Sequence, residues 1–115
     1  MYIMFLYQCM IDMYTRYGYN MNRIRSFKDK ETERVYNQLF SKRIDLSIQR
    51  IALRKLIMID NSETLEDLRN PPSNHLEKLQ GDREGRYSVR INDQYRVCFI
   101  FEKGLFYDVE IVDYH

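Results

Sequence analysis

A pair of adjacent prolines, Pro71-Pro72, divides the chain into a part with helical periodicity and a part with strand-like periodicity. Proline cannot continue a helix, and the sequence after the pair breaks into short apolar stretches separated by polar or glycine-containing turns. The extended stretches are 76–79, 86–91, 95–101 and 105–112, joined by the turns 81–85, 92–94 and 102–104. Turns this short are typical of hairpins, so the second part predicts an antiparallel meander.

The first part predicts a short strand followed by two helices. Residues 24–27 alternate in polarity, and residues 28–31 open a helical pattern that places Val35, Leu39 and Phe40 on one side. A longer helix follows, in which apolar residues recur at three-to-four spacing: Ile44, Ile48, Ile51 or Ala52, Leu56 and Ile59. The expected fold is α+β, with an N-terminal strand and two helices packed on a small, mainly antiparallel twisted sheet. A sheet face without helices would be shallow and concave, which suits an extended polymer.

The 115 residues suffice for one domain. Residues 1–20 hold four of the six methionines and five of the ten tyrosines, whereas ordinary globular composition begins at Met21. We therefore expect the compact domain to be 21–115 and the extension 1–20 to be dispensable. The alternative is that the extension is a partner-binding or self-capping arm.

Charge and cysteine content restrict the class of partner and the compartment. The net charge is only +1, but residues 21–60 carry ten Lys/Arg against five Asp/Glu, and residues 61–115 carry seven against eleven. Nucleic-acid contact must therefore depend on individually placed arginines rather than on bulk basicity. Cys9 and Cys98 lie in unrelated contexts, and no apolar run approaches the length of about 20 residues that spans a membrane. We expect a cytoplasmic protein without a membrane partner.

The residue types favour acid–base chemistry without a cofactor. The two histidines are forty residues apart and the two cysteines are unpaired, so the spacing of a structural zinc site is missing. The glycine motifs of phosphate and dinucleotide loops and the serine elbow are missing as well. No metal and no cofactor is expected.

The chain closes on Asp113-Tyr114-His115, directly after a strand-like run. The terminal carboxylate and Asp113 favour the protonated form of His115, which would make this histidine a proton donor, although a terminal histidine can also be merely frayed. Tyr114 could stack on a base or donate to a phosphate oxygen, or it could simply pack. Asp113 could orient His115 or only solubilise a strand end.

Arginines in the strand-like part are candidates for phosphate contact. Arg96 lies in a run that otherwise reads as buried, and its planar guanidinium suits two phosphate oxygens, the alternative being a structural ion pair with Asp113 or Glu110. Arg86, Ser88 and Arg90 alternate onto one face of their strand, opposite Tyr87, Val89 and Ile91. The residues before the glycine turn offer a general base or further phosphate contacts: His75, Glu77, Lys78 and Gln80.

Three stretches resemble the HigB toxins, the killer-protein branch of the RelE/ParE superfamily, and the similarity runs from Met21 to His115. They are Asn74-His75-Leu76-Glu77-Lys78-Leu79-Gln80-Gly81-Asp82-Arg83, Tyr87-Ser88-Val89-Arg90-Ile91-Asn92-Asp93-Gln94-Tyr95-Arg96-Val97-Cys98-Phe99 and Val109-Glu110-Ile111-Val112-Asp113-Tyr114-His115.

The resemblance implies a RelE-like fold and a ribosome-dependent mRNA endonuclease that inhibits translation. A HigA-type helix-turn-helix antitoxin would neutralise it, and operator DNA would be bound only through the toxin–antitoxin complex. The implied reaction is attack of the ribose 2′-hydroxyl on the adjacent phosphate without a metal. His115 would be the acid, Arg96 the phosphate stabiliser, Asp113 the orienting group and Tyr114 the partner of the base.

One departure from the family leaves the general base open. Some members carry His-Pro-Leu-Lys-Gly before the turn, whereas this chain has Glu77 in place of that histidine and Gln80 in place of that lysine. Glu77 could serve as base, His75 could approach from two residues upstream, or positioning by the ribosome could suffice. Residues 1–20 also have no counterpart in the family. The rival functions are a poison of DNA gyrase, as in another branch of the superfamily, and a non-catalytic co-repressor.

Overall fold

The computed structural model describes residues 22–80 and 85–114, and within them it has two helices packed on a four-stranded sheet. Helix α1 is Lys30–Tyr36 and helix α2 is Leu46–Asp60. The strands are β1 (Glu77–Lys78), β2 (Arg86–Arg90), β3 (Tyr95–Glu102) and β4 (Leu105–Asp113). They follow one another in the order β1-β2-β3-β4, and every pair is antiparallel. The predicted α+β class and the meander are confirmed; the extension 1–20, most of the turn 81–85 and His115 lie outside the described residues.

Helix α1 begins at an aspartate cap and is shorter than the sequence predicted. The Oδ1 of Asp29 accepts a hydrogen bond from the backbone N–H of Thr32 at 2.7 Å, which satisfies one of the unpaired donors of the first turn. The helix ends at Tyr36, and Gln38 then takes a left-handed φ of 61° that turns the chain aside. Leu39 and Phe40 consequently lie beyond the helix and are 50% and 57% exposed, so their predicted place on its apolar side is wrong.

Helix α2 confirms the predicted spacing. Asp45 caps it by accepting from the N–H of Ser47 at 3.2 Å. Ala52 rather than Ile51 is the fully buried one of the two alternatives, and the predicted apolar residues that are buried within the helix are Ile48, Ala52, Leu56 and Ile59. The predicted start is wrong, because Ile44, although buried, precedes the helix. The helix therefore presents one continuous apolar side to the sheet.

Strands β2, β3 and β4 present alternate residues to two faces, as a pleated sheet requires. One face joins the helices in the hydrophobic core and contributes Val89, Val97, Phe99 and Ile111. Register places a second set of residues together on the opposite face, which we call the outer face: Glu77 opposite Ser88, Ser88 opposite Cys98, and Cys98 opposite Glu110. The core face is apolar, whereas the outer face carries charges and hydroxyls.

The predicted N-terminal strand is a segment that runs parallel to β4 and forms two isolated bridges, Ile24 to Phe106 and Phe27 to Val109. The carboxylate of Asp60, at the end of α2, ties this segment to both helices. Its oxygens accept from the backbone N–H of Ile24 at 2.9 Å and from the hydroxyl of Tyr36 at 2.5 Å. A buried carboxylate satisfied in this way fixes the start of the domain against the helix ends.

Two 3₁₀ turns, Leu65–Arg69 and Pro72–Asn74, connect α2 to the sheet. Leu68 is fully buried, and the turn that follows leads to the short strand β1. Across the described parts of the chain, neither helix has the length and apolarity needed to span a bilayer.

Candidate active site around Arg96

The guanidinium of Arg96 is the centre of the candidate site, and neutral oxygen atoms hold it in place. Its Nε donates to the Oγ of Ser88 at 2.8 Å, and its Nη2 donates to the backbone carbonyl of His75 at 2.5 Å and to the carbonyl of Ser88 at 3.5 Å. Ser88 and Arg96 are diagonal neighbours on the outer face, because Ser88 faces Cys98 in the register. Since these acceptors are uncharged, they orient the guanidinium without cancelling its charge.

Within the part of the chain that the structure describes, the carboxylate that pairs with this guanidinium belongs to Glu77. Its Oε1 lies 3.6 Å from the Nη2 of Arg96, and the two side chains are 57% and 10% exposed respectively. The sequence had offered Asp113 or Glu110 as ion-pair partners of Arg96, but the β1–β2 register brings Glu77 next to Ser88 and therefore next to Arg96. A loose, half-exposed pair leaves the carboxylate accessible to a substrate hydroxyl.

His75 contributes a backbone carbonyl to the site. It follows the second 3₁₀ turn in the left-handed conformation, with φ of 43°, and this geometry aims its carbonyl at Arg96. Its side chain is exposed at the rim of the same cluster. Periodicity could not have revealed this role, because it depends on a backbone turn.

Tyr114 adds an aromatic ring to the cluster. The Cζ of Arg96 lies 6.0 Å from the centroid of the Tyr114 ring, which is at the outer limit of a cation–π contact. The backbone N–H of Tyr114 donates to the carbonyl of Gln94 at 2.6 Å, which anchors the end of the chain after β4. The ring is 36% exposed, so a flat base has access to it.

Asp113 is the last residue of β4 and lies on the other side of the sheet from the Arg96 guanidinium. It faces Tyr95 in the register, and Tyr95 packs against the core. The Oδ2 of Asp113 accepts from the side-chain amide of Gln94 at 3.1 Å. His115, the predicted acid, lies outside the described residues, one position beyond Tyr114.

Arg86 lies at the far end of β2 and is held by carboxylates. It faces Ile100 in the register, whereas Arg90 faces Arg96. Its guanidinium contacts Asp108 at 3.6 Å and Glu110 at 3.4 Å, and Glu110 also contacts Lys28 at 3.5 Å. The charge of Arg86 is therefore matched within the protein, and the structure does not bring this arginine together with Arg96.

The remaining predicted contacts surround the site at different distances from Arg96. Arg90 is its cross-strand neighbour and forms an ion pair with Asp93. Lys78 is exposed and, by alternation, points away from the face that carries Glu77. Gln80 is exposed immediately before the undescribed residues 81–84.

Two further residues, Lys55 and Asn74, contact each other at the edge of the site. Lys55 reaches from α2 to Asn74, and its Nζ donates to the Oδ1 of Asn74 at 2.6 Å. Burial lowers the pKa of the Lys55 ammonium, and the neighbouring charges of Arg54 and Arg90 lower it further. The sequence contained one indication of this contact: Lys55 lies between the buried residues Leu53 and Leu56. Such a position places the aliphatic part of the lysine near the core and its ammonium at the edge of the helix.

The chemistry available in the described residues is that of cations, one accessible carboxylate and an aromatic ring. Within residues 22–80 and 85–114, no group of three or more His, Cys, Asp or Glu side chains is arranged to hold a metal ion. Such a set suits proton transfer and stabilisation of a phosphate.

Comparisons with known proteins agree on one family. Residues 25–115 match the family model described as the RelE-like toxin of type II toxin–antitoxin system HigB. An uncharacterised protein of Haemophilus influenzae is 39% identical over 88 residues, which cover 75% of this chain and 85% of that protein. The protein named Toxin HigB-1 of Vibrio cholerae is 40% identical over 80 residues, which cover 69% of this chain and 84% of that toxin.

Proposed function

We propose that this chain, which belongs to the HigB family of RelE-like toxins of type II toxin–antitoxin systems, is an endoribonuclease that cleaves mRNA on the translating ribosome. The observation that carries the proposal is the cluster around Arg96. A positioned guanidinium, an accessible carboxylate and an aromatic ring meet next to the end of the chain that carries His115. A metal-free transfer at phosphorus requires these kinds of group.

In the proposed reaction, the carboxylate of Glu77 removes the proton from a ribose 2′-hydroxyl, and the 2′-oxygen attacks the adjacent phosphorus. The bond from phosphorus to the 5′-oxygen breaks, and His115 gives its proton to that oxygen. The products are a 2′,3′-cyclic phosphate and a free 5′-hydroxyl, so no water, metal or cofactor is consumed. Arg96 stabilises the charge that accumulates on the phosphate oxygens in the transition state.

The neighbours of these groups have supporting roles in the proposal. Tyr114 stacks on or hydrogen-bonds a base beside the cleaved bond, and Asp113 orients His115 as carboxylates orient catalytic imidazoles. Contacts to the rest of the RNA come from side chains around the cluster: His75, Lys78, Gln80, Arg86 and Arg90. Arg86 is the weakest member of this set, because Asp108 and Glu110 already match its charge.

The proposed partners are a HigA-type helix-turn-helix antitoxin and the translating ribosome with its mRNA. Operator DNA is bound through the antitoxin complex rather than by the toxin alone, which fits the small net charge of +1. The site of action is the cytoplasm, where translating ribosomes are found. No membrane partner is proposed.

Primer extension on a defined mRNA tests the proposed function. The purified full-length protein is incubated with and without translating ribosomes, next to a His115→Gln variant, and the ends of the products are determined. We expect cuts only with ribosomes, lost in the variant, with a 5′-hydroxyl on the downstream product. A 5′-phosphate on the downstream product would overturn the proposed metal-free mechanism. No cuts in any lane would overturn the nuclease, and a gyrase supercoiling assay would follow.

A further inference from the structure

Lys55 is fixed in place at the edge of the sheet. It donates to the Oδ1 of Asn74 at 2.6 Å, and Asn74 is fully buried. The amide nitrogen of Asn74 donates in turn to the carbonyls of Leu68 at 3.0 Å and Asn70 at 3.3 Å. These bonds determine which end of the amide is the oxygen, so the acceptor aimed at Lys55 cannot rotate away without losing partners.

The charges of two arginines, Arg54 and Arg90, affect the Lys55 ammonium. Arg54 precedes it on α2, Arg90 is at the end of β2, and both lower the pKa of the lysine in addition to the effect of burial. Asp93 offsets part of this charge by pairing with Arg90, but Asp93 is 99% exposed and is therefore well screened by water. Lys55, through Asn74, and Arg90, through the strand register, both lie beside the Arg96 site, so their charges would stabilise an anion bound there.

This group of cations adjoins the Arg96 site. Arg90 is the cross-strand partner of Arg96, so the two Cα atoms face each other in the β2–β3 register. On the loop side, Asn74 directly precedes His75, whose carbonyl holds the Arg96 guanidinium. A polyanion that places one phosphate on Arg96 is thereby led along the sheet edge towards Lys55.

We propose that Lys55 and Arg90 form a second phosphate subsite, which binds a phosphodiester of the RNA strand beside the one held by Arg96. The proposal rests on the proposed function for the identity of the strand, and it adds a binding site on helix α2 to a site otherwise built from the sheet. An acidic protein segment is a different polyanion; continuity with Arg96 favours RNA, because a strand presents phosphates at every nucleotide.

The test measures binding without cleavage. A fluorescent single-stranded oligonucleotide carrying 2′-O-methyl groups cannot supply the attacking hydroxyl, and its anisotropy is followed with the full-length protein at increasing KCl concentrations from 50 mM. The variants are Lys55→Gln and Arg90→Gln, with Lys55→Arg as the charge-preserving variant. Lys42→Gln, which removes an exposed lysine from the loop before α2, is the matched control. Thermal unfolding of each variant verifies the fold.

We expect Lys55→Gln to weaken binding about tenfold at the lowest salt concentration, as expected for the loss of a charged hydrogen bond. The slope of log affinity against log salt should fall by about 0.7, the value for one phosphate contact on a single strand. Arg90→Gln should cause similar losses in affinity and in the salt slope. It therefore tests the subsite even if Lys55→Gln does not fold stably. Lys55→Arg should bind nearly as well as the unaltered protein, and Lys42→Gln should change little.

Two results would overturn the subsite: equal losses for Lys55→Gln and Lys42→Gln, or no binding of the oligonucleotide at 50 mM KCl by the unaltered protein. A third arm uses poly-L-glutamate as the labelled ligand. If the variants lose affinity for poly-L-glutamate but not for the oligonucleotide, the site serves an acidic protein partner and the RNA proposal fails. Lys55-dependent binding by a protein that cuts no mRNA would instead overturn the proposed function and leave the subsite in place.

Discussion

Arg86 and Arg96 lie on adjacent strands and on the same face of the sheet, but carboxylates neutralise their charges to different extents. Two carboxylates, from Asp108 and Glu110, contact the guanidinium of Arg86. The guanidinium of Arg96 is held mainly by the hydroxyl of Ser88 and the carbonyl of His75. Both side chains are ordered by their neighbours, but Arg86 contacts two carboxylates, whereas Arg96 contacts the half-exposed carboxylate of Glu77 and so keeps more of its field for a phosphate.

The difference supports different proposed roles for the two arginines, structural for Arg86 and functional for Arg96. A guanidinium matched by two carboxylates contributes to stability, and binding a phosphate there would require those pairs to be broken. A guanidinium held by neutral oxygens is already oriented, so little reorganisation is needed when negative charge develops beside it. The sequence predicted that both arginines contact RNA. Their ion pairs make Arg96 the stronger candidate for that contact and Arg86 the weaker one.

The largest expected effect is that of Arg96→Gln on cleavage. Removing a preorganised cation from a transition state costs about 10²- to 10³-fold in rate, and Arg96→Lys should restore little, since an ammonium cannot bond to Ser88 and His75 in the same geometry. The measurement is the single-turnover cleavage rate on programmed ribosomes. Equal losses for Arg96→Gln and Arg86→Gln would abolish the distinction between the two arginines.

A somewhat smaller loss is expected for Glu77→Gln. A general base contributes about 10²-fold or more, and glutamine keeps the shape of the side chain but cannot accept the proton. The control is Glu66→Gln, an exposed glutamate that pairs with Arg69 away from the site. Full activity of Glu77→Gln would show that another group is the general base, and His75→Ala would be the next variant to assay.

Arg86→Gln should affect stability more than activity. It leaves the carboxylates of Asp108 and Glu110 without their shared cation, which costs about 1–3 kcal/mol in the free energy of unfolding. Urea denaturation gives the stability, and the ribosomal assay should give a cleavage rate within a few-fold of the unaltered protein. A stable but inactive Arg86→Gln protein would show that its charge reaches the RNA despite the ion pairs.

The smallest effect is expected from deletion of residues 1–20. The contacts described for both arginines come from residues between His75 and Tyr114, so a chain that starts at Met21 should fold and cleave within about twofold of the full chain. Cleavage rate and circular dichroism are the measurements. An insoluble or inactive product would make the extension part of the domain.

The helices and strands of the fold could be predicted from side-chain periodicity, and the wrong end of the first helix shows where such a prediction fails. Spacing identified α2 and the meander because each repeats a period over several turns or strands. The apolar residues Leu39 and Phe40 also matched the helical period, but the left-handed Gln38 ends the pattern before them. A backbone reversal of this kind is a local event that an apolar pattern does not record.

The candidate site was accessible only in part. Alternation placed Ser88 with Arg86 and Arg90 on one face, and the apolar run around Arg96 made this arginine a candidate phosphate contact. It could not choose the carboxylate partner, because Glu77 reaches Arg96 through a register between β1 and β2, not through nearness in sequence. Contact between Lys55 and Asn74 likewise joins a helix to a loop across the sheet edge.

The amino-acid sequence by itself determined the order of helices and strands, the polar face of the sheet and the family, because these depend on side-chain periodicity and on residue identity. Tertiary structure alone decided which charges are cancelled and which remain available. That outcome depends on distances of a few ångströms between residues far apart in the chain, and electrostatic energy changes steeply over such distances.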